Sequence, residues 1–278
     1  MRLGASWFFD SPGPDEWVAA IKAKGYSAAY FPPSAADGED RCVAYAQAAE
    51  RADIVIAEVG AWSNPLSPDE ETRKAAVANC KAQLALADRV GARCCVNIAG
   101  SRGAKWDGPD PLNLTAETFD MIVESVRDII DSVKPTRTYY TLETMPTMYP
   151  DSTESYLELI AAIDRDRFAV HFDAVNLVCS PQRYYASGEL IREFVRKLGP
   201  KIRSCHGKDV LLDQRFLVHL DEVPIGTGGL DLRALLTELS RLDPDTPLIL
   251  EHLGTEAEYD KAAAHVRAVA DEVGVALG

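Results

Sequence analysis

Short apolar runs and longer helical patterns alternate eight times along this chain, and this repeat limits the folds that it can adopt. The short runs are rich in β-branched and aromatic residues, as buried strands are, and amphipathic segments separate them. The strand candidates are residues 3–9, 26–31, 53–59, 92–99, 138–144, 168–174, 202–208 and 247–252. Such an alternation predicts parallel strands joined by right-handed helical crossovers.

Several of the segments between the strand candidates carry signals for helix ends. Residues 67–70 read Ser-Pro-Asp-Glu, which predicts a capping box, and Gly91 predicts the end of that helix. Thr115 and Thr255 have the positions of N-caps, and Gly274 closes the last helix. The helical segments are therefore delimited as clearly as the strands.

The eightfold repeat favours a barrel over an open doubly wound sheet, which would use the same alternation. The 278 residues are close to the roughly 250 of a typical (β/α)8 barrel. No Pro-, Gly- or Ser-rich linker divides the chain, so we predict one domain over residues 1–278, an α/β TIM barrel. Its longer loops should lie at the carboxyl ends of the strands, where barrel enzymes build their active sites. These loops are 100–114, 145–151, 175–186 and 209–230.

The formal net charge of −14 argues against a nucleic-acid partner, because no cluster of Lys and Arg is present to neutralise phosphates. No stretch approaches the ~18 apolar residues of a membrane span. The first residues, MRLGASWFFD, predict a strand and not a signal peptide. Six scattered cysteines without CxxC spacing indicate buried thiols in a reducing compartment, so we expect a cytoplasmic protein.

Four strand candidates in succession end in residue types that bind metal ions. The apolar runs break at Glu143, Asp173, His206 and Glu251. In a barrel these side chains converge at one mouth, where three unpaired carboxylates would repel one another unless a cation lay between them. We therefore predict one divalent metal ion held by these four residues. Oxygen-rich ligation with one imidazole favours Mn²⁺, with Mg²⁺, Co²⁺ or Zn²⁺ as alternatives.

The same residues resemble a known family. Glu143, the segment His171-Phe-Asp173, the segment from His206 to Asp209 (HGKD), Pro224-Ile-Gly226-Thr-Gly228 and Glu251-His252 are similar to the sugar phosphate isomerase/epimerase superfamily, the xylose-isomerase-like barrels. The resemblance covers essentially the whole chain. Among its branches, the HxKD segment is similar to inosose dehydratases, and the ligand order Glu, Asp, His, Glu is similar to ketose 3-epimerases. It implies a substrate that binds the metal ion through vicinal oxygens.

The resemblance also implies roles in catalysis. Glu143 and Glu251 would serve both as metal ligands and as the pair of groups that removes and returns a proton beside a carbonyl. His171 lies two residues before Asp173 and shares its strand face, so it would bond a substrate hydroxyl, or else orient a neighbour. Lys208 would act as an acid or stabilise an oxyanion, unless it is a surface residue paired with Asp209.

The loops of the predicted mouth supply the candidates for substrate binding. The 3-epimerases typically place a His three residues after the strand-6 Asp, where this chain has Asn176, so simple ketose 3-epimerisation is in doubt. Arg183 lies beside Tyr184 and Tyr185, which suits a larger or aglycone-bearing ligand, or a contact between subunits. Trp106 and Met148 would either line the substrate site or pack a lid. The glycines at 226–229 predict a tight turn and not a phosphate loop.

Four functions remain open at this stage. The leading one is a metal-dependent isomerase or epimerase of a sugar or keto-sugar that binds a small sugar or glycoside. The second is a lyase acting by β-elimination on an inosose or a 3-oxo-glycoside, including the C-glycoside deglycosidase type, in which a small partner subunit can take part. An abasic-site endonuclease is disfavoured by five His and the acidic charge. A non-catalytic sugar-binding barrel is disfavoured by the intact Glu143 and Glu251. We expect a homo-oligomer.

Overall fold

The strands predicted from the sequence form a closed parallel barrel in the computed structural model, which describes residues 1–6 and 13–278. The barrel strands are β1 Arg2–Ala5, β2 Ala28–Tyr30, β3 Val55–Gly60, β4 Cys94–Asn97, β5 Tyr140–Glu143, β6 Phe168–Asp173, β7 Ile202–Gly207 and β10 Pro247–Leu250. Around the barrel the order is β1-β2-β3-β4-β5-β6-β7-β10, and β10 closes against β1. The (β/α)8 prediction is confirmed, although residues 7–9 of the first strand candidate lie outside the described residues.

The helices surround this barrel. They are α1 Pro14–Ala23, α2 Glu39–Arg51, α3 Glu70–Val90, α4 Ala116–Val133, α5 Thr153–Ile163, α6 Pro181–Tyr185, α7 Ser187–Leu198, α8 Leu232–Leu239 and α9 Glu256–Val273. Thr115 and Thr255 are N-caps as predicted, and Gly91 and Gly274 end their helices in the left-handed conformation. The predicted start of α3 is wrong by two residues, because Asp69 and not Ser67 accepts the capping bond, from Thr72 N.

A buried tyrosine holds the two strands that carry Glu143 and Asp173. Tyr156 of α5 places its hydroxyl 2.6 Å from Leu142 O of β5 and 3.0 Å from Ala169 O of β6. Beyond the strand ends, Thr144 Oγ1 donates to Asp173 O at 2.8 Å and accepts from Asp173 N at 3.0 Å. These bonds fix the spacing of the strand ends from which the carboxylates project.

The segment 209–230, predicted as a loop, contains a β-hairpin. Its strands are β8 Asp209–Leu212 and β9 Leu220–Val223, paired antiparallel. The sequence does not indicate the hairpin, because its strands have four residues each and show no regular alternation of buried and exposed side chains. The glycine turn that follows is confirmed, and Asp231 caps α8 by accepting from Ala234 N.

The carboxylate of Asp209 organises the glycine turn. It accepts hydrogen bonds from the backbone N–H groups of Val210, Gly226, Gly228 and Leu230, at 2.8–3.0 Å. Gly228 comes so close that a Cβ on it would lie 2.4 Å from Asp209 Oδ1, which no side chain tolerates. The turn that resembles a phosphate cradle is thus filled by the chain's own carboxylate.

We expect Asp209→Ala to destabilise the protein by about 2–4 kcal/mol, because several charge-assisted bonds to backbone N–H groups are lost together. For a chain of this size the melting temperature should fall by roughly 5–15 °C. Differential scanning calorimetry measures this shift. Asp213→Ala serves as the control, since that hairpin aspartate pairs with exposed Arg215 at 3.1 Å. Equal melting temperatures for the two variants would contradict the assignment.

Candidate metal and active site

The four predicted metal ligands lie together at the carboxyl end of the barrel. Glu143 ends β5, Asp173 ends β6, His206 is the penultimate residue of β7, and Glu251 follows β10. The parallel register sets Asp173 beside His206, and His206 beside Ile249. One possible ligand atom of each residue lies within 4.8 Å of those of the other three. The fold therefore assembles the set that the strand ends indicate.

His206 is the centre of this cluster. Its Nδ1 lies 3.1 Å from Glu143 Oε1 and 2.9 Å from Glu251 Oε1, and 3.9 Å from Asp173 Oδ2. The imidazole is almost fully buried, with 1% of its side chain exposed. Glu143 and Glu251 reach it from strands that are not neighbours, so the two carboxylates approach from different sides of the barrel.

Lys208 lies inside the cluster and not on the surface. Its Nζ is 2.5 Å from Glu251 Oε1, 2.8 Å from Asp173 Oδ2 and 3.6 Å from Glu143 Oε1. The alternative of a surface lysine paired with Asp209 is wrong, because Asp209 turns to the backbone of the glycine turn. The alternation of side chains after β7 sends Lys208 to the mouth with His206.

The charges of the cluster depend on one another. Burial opposes ionisation of Glu143, yet His206 and Lys208 hold the pKa of its carboxyl well below the usual range. Burial also opposes the charged form of Lys208, but Asp173 and Glu143 raise its pKa well above the ordinary value. Burial raises the pKa of Asp173 to about 6. Asp173 thus takes up a proton at a higher pH than an ordinary aspartate does.

The donor set fits a divalent cation. Lys208 meets Asp173 Oδ2 and Glu251 Oε1 at ion-pair distance but without hydrogen-bonding geometry, so both oxygens are buried acceptors that lack a hydrogen bond within the described residues. Three carboxylates and one imidazole around such acceptors are a ligand set for Mn²⁺, Mg²⁺ or Zn²⁺. The cluster therefore has the composition and the spacing of a metal site.

A glutamate that the sequence analysis did not single out lies beneath the cluster. Glu58 of β3 is fully buried and contacts both histidines: its Oε2 lies 2.8 Å from His171 Nε2, and its Oε1 lies 3.2 Å from His206 Nε2. The two imidazole rings meet edge to face, with centroids 4.1 Å apart. The contact between Glu58 and Nε2 thus holds the His171 ring in place. This geometry favours a role for His171 in orienting its neighbours over a direct hydrogen bond to substrate.

A signal for Glu58 was present in the sequence. It is the one charged residue within the apolar run 54–59 of a predicted strand. A charge at such a place must be paired when it is buried. Its partners, however, lie 113 and 148 positions further along the chain, and no local pattern identifies them.

The predicted substrate residues take different positions. Asn176 Nδ2 donates to Glu143 Oε1 at 3.0 Å, so it joins the cluster directly. Arg183 lies in the short helix α6 and donates to Leu177 O at 3.0 Å. Trp106 is 39% exposed on the loop after β4, whereas Met148 is only 1% exposed. Substrate binding by these four residues stays a prediction.

Two aromatic residues near the cluster were missed. Trp62, which follows β3, is partly exposed, and its ring centroid lies 6.5 Å from that of His206. Its Nε1 donates to the hydroxyl of Tyr30 at 2.8 Å. Trp62 offers an apolar surface beside the predicted metal ligands.

The expectation of buried thiols holds for Cys205 but is wrong for Cys179, which is exposed.

The fold and the site together define an eight-stranded parallel barrel with an acidic, histidine-containing cluster at its carboxyl end. The profile of the xylose isomerase-like TIM barrel family matches residues 17–269. The chain belongs to this family. Comparison with curated protein sequences gives no significant match.

Solved structures share the fold at low sequence identity. D-psicose 3-epimerase with D-tagatose from Clostridium cellulolyticum H10 superposes with a TM-score of 0.70 at 15% identity, over 99% of this chain and 100% of that one. The probable 3-DHS dehydratase AsbF from Bacillus anthracis gives 0.67 at 17%, over 91% of each. A xylose isomerase-like barrel from Mycobacterium smegmatis in complex with magnesium gives 0.66 at 16%, over 93% and 88%.

The helices give no indication of a membrane-spanning segment. Within residues 1–6 and 13–278, none of them combines the length and the apolar character that crossing a bilayer requires.

Proposed function

We propose that this protein is a divalent-metal-dependent isomerase or epimerase of a sugar or keto-sugar, which moves a proton at the carbon next to a carbonyl. The observation that carries the proposal is the convergence of Glu143 and Glu251 on one imidazole nitrogen, within a set of four potential ligands. Two carboxylates that reach the same point from different sides of the barrel can remove a proton from one face of a bound substrate and return it on the other.

The metal ion would be held by Glu143, Asp173, His206 and Glu251. When bound, it supplies a Lewis acid for the negative charge that develops on the substrate as the proton leaves. We keep Mn²⁺ as the expected ion, and the magnesium complex of a relative with the same fold makes Mg²⁺ the first alternative.

The protein's own groups prepare the two carboxylates for proton transfer. Burial raises the pKa of Glu251, but His206 and Lys208 outweigh it and keep the pKa below the usual value, so this carboxylate is ionised and can accept a proton. Asn176 donates to Glu143 Oε1 and leaves Glu143 Oε2 as the oxygen on that carboxylate for a second transfer. Lys208 places its buried ammonium 2.5 Å from Glu251 Oε1. We propose that it acts as an acid, or stabilises the negative charge that develops on the substrate oxygen, while the proton is transferred.

The proposed activity predicts exchange of substrate hydrogen with solvent. In D₂O with Mn²⁺, we expect deuterium to enter the carbon beside the carbonyl of at least one member of a panel of ketoses, inososes and 3-oxo-glycosides. NMR and mass spectrometry of the recovered sugar measure it. Protein treated with EDTA should show no exchange, and added Mn²⁺ should restore it. Failure of exchange with every member, although metal is bound, would overturn the proposal.

A lyase that expels a group β to the carbonyl is the second candidate. It begins with the same proton abstraction but does not need a group to return the proton to the carbon. Asn176 favours it, because an amide cannot shuttle a proton, and a dehydratase is among the proteins of similar fold. The same experiment separates the two reactions. An epimerase returns an intact sugar that differs only by the deuterium it has taken up, whereas a lyase gives a product that has lost water or an aglycone.

A further inference from the structure

Among the described residues, Glu58 is the carboxylate that contacts both His171 and His206, and it is not itself one of the four predicted metal ligands. It has no exposed surface, and each of its two oxygens contacts a different imidazole Nε2. A fully buried carboxylate accepts hydrogen bonds but cannot donate them. Both histidines must therefore present N–H at Nε2.

In a neutral ring, this requirement determines the other nitrogen. A neutral imidazole that is protonated at Nε2 carries its lone pair at Nδ1. In His206, Nδ1 is the atom that faces Glu143 and Glu251. A lone pair there can ligate a cation, whereas a proton there would prevent ligation. Carboxylates that bond the far nitrogen of a histidine ligand commonly set its tautomer and its orientation.

His171 is affected in the same way. Its Nε2 bonds Glu58, and its Nδ1 is a buried atom without a hydrogen-bond partner among the described residues. In its neutral form the ring therefore presents an acceptor and not a donor on its second side. A histidine with this fixed polarity can receive a hydroxyl proton in a hydrogen bond, but it cannot donate one.

We propose that Glu58 is a positioning residue that fixes both histidines as Nε2–H tautomers and so makes the His206 Nδ1 lone pair available to the metal ion. This inference rests on the metal site of the proposed function. Glu58 is not one of the four predicted ligands of the metal ion. It acts through the imidazoles, so its contribution should be seen in the tautomers and in metal affinity before any turnover.

Glu58→Gln tests the proposal because an amide has one accepting end and one donating end. The oxygen can still accept from one histidine, but the NH₂ group faces the other and requires a lone pair at its Nε2. One ring must then become the Nδ1–H tautomer or turn away. We expect the affinity for Mn²⁺ to fall by about 10–100-fold, the range typical for loss of such a partner.

The measurements are ¹⁵N–¹H NMR of the imidazoles and titration with Mn²⁺ followed by electron paramagnetic resonance. The chain has five histidines, so the signals of His171 and His206 can be assigned by substitution. In the protein saturated with diamagnetic Mg²⁺ we expect both to be Nε2–H tautomers. In Glu58→Gln we expect one of the two to change, with weaker metal binding.

Thr141→Val is the matched control, because it removes a buried hydrogen bond inside the barrel, from Thr141 Oγ1 to Cys95 O, without touching either histidine. It should leave both tautomers and the Mn²⁺ affinity unchanged. Unchanged tautomers and affinity in Glu58→Gln would overturn the role of Glu58. Absence of Mn²⁺ binding in the unaltered protein would instead overturn the metal site, and with it the proposed function.

Discussion

In a Glu251→Gln variant, we expect the rate of deuterium exchange at the substrate carbon to fall by about 10²–10⁴-fold, because an amide cannot take up the proton. Glu251 lies 2.9 Å from His206 Nδ1 and 2.5 Å from Lys208 Nζ, so the substitution also alters the metal site. Exchange is therefore measured over a series of Mn²⁺ concentrations, with bound metal counted by electron paramagnetic resonance.

Asp173→Asn separates the loss of a base from the loss of a ligand. Asp173 belongs to the ligand set but has no proposed part in proton transfer, so its variant should recover exchange as Mn²⁺ rises. Glu251→Gln should stay slow even when metal is bound. Glu158→Gln, on the exposed face of α5, should behave as the unaltered protein does. Full exchange in the metal-loaded Glu251→Gln variant would refute Glu251 as the base.

In the metal-free protein, we expect Lys208→Met to lower the free energy of unfolding by about 3–5 kcal/mol, since it leaves buried carboxylates without their partner. Lys208 Nζ is within 3.6 Å of Glu143, Asp173 and Glu251, and its side chain is 3% exposed. A divalent cation should replace much of the lost positive charge. Saturating Mn²⁺ should therefore stabilise the variant more than it stabilises the unaltered protein.

Urea unfolding in EDTA and in Mn²⁺ measures this difference. Lys197→Met is the control, because Lys197 pairs with Glu154 and Glu193 at the surface, at 2.7 Å each. Pairs of that kind contribute about 0–1 kcal/mol and do not respond to a metal ion at the barrel mouth. An equal effect of Mn²⁺ on the stability of Lys208→Met and of the unaltered protein would show that Lys208 does not balance the cluster.

Local patterns were sufficient for much of the site. Each strand ends where an apolar run stops, and parallel pairing brings the carboxyl ends of all strands to one edge. Glu143, Asp173, His206 and Glu251 could therefore be grouped before any distance was known. The period-2 alternation likewise placed Lys208 on the same side as His206. These features depend on neighbours in the sequence and on a topology that repeats.

The loops were less predictable. The hairpin formed by β8 and β9 was missed, since its short strands have no alternation of buried and exposed apolar residues strong enough to mark them. The direction of Asp209 was also not determined, because a carboxylate next to Lys208 can pair with it or with backbone N–H groups. The folded turn at Gly226–Gly228 offers several N–H groups at once, and these bonds outweigh a single ion pair.

The sequence by itself determined the barrel, the order of its strands and the four residues that meet at its mouth, because all of these follow from short-range periodicity repeated eight times. Only the tertiary structure decided which side chains of the site contact one another. The contacts of Glu58 with His171 and His206 span 113 and 148 positions across the inside of the barrel. Such contacts depend on how far each side chain reaches into the closed interior of the barrel. Because no water reaches a fully buried carboxylate, it must be paired with another group of the protein.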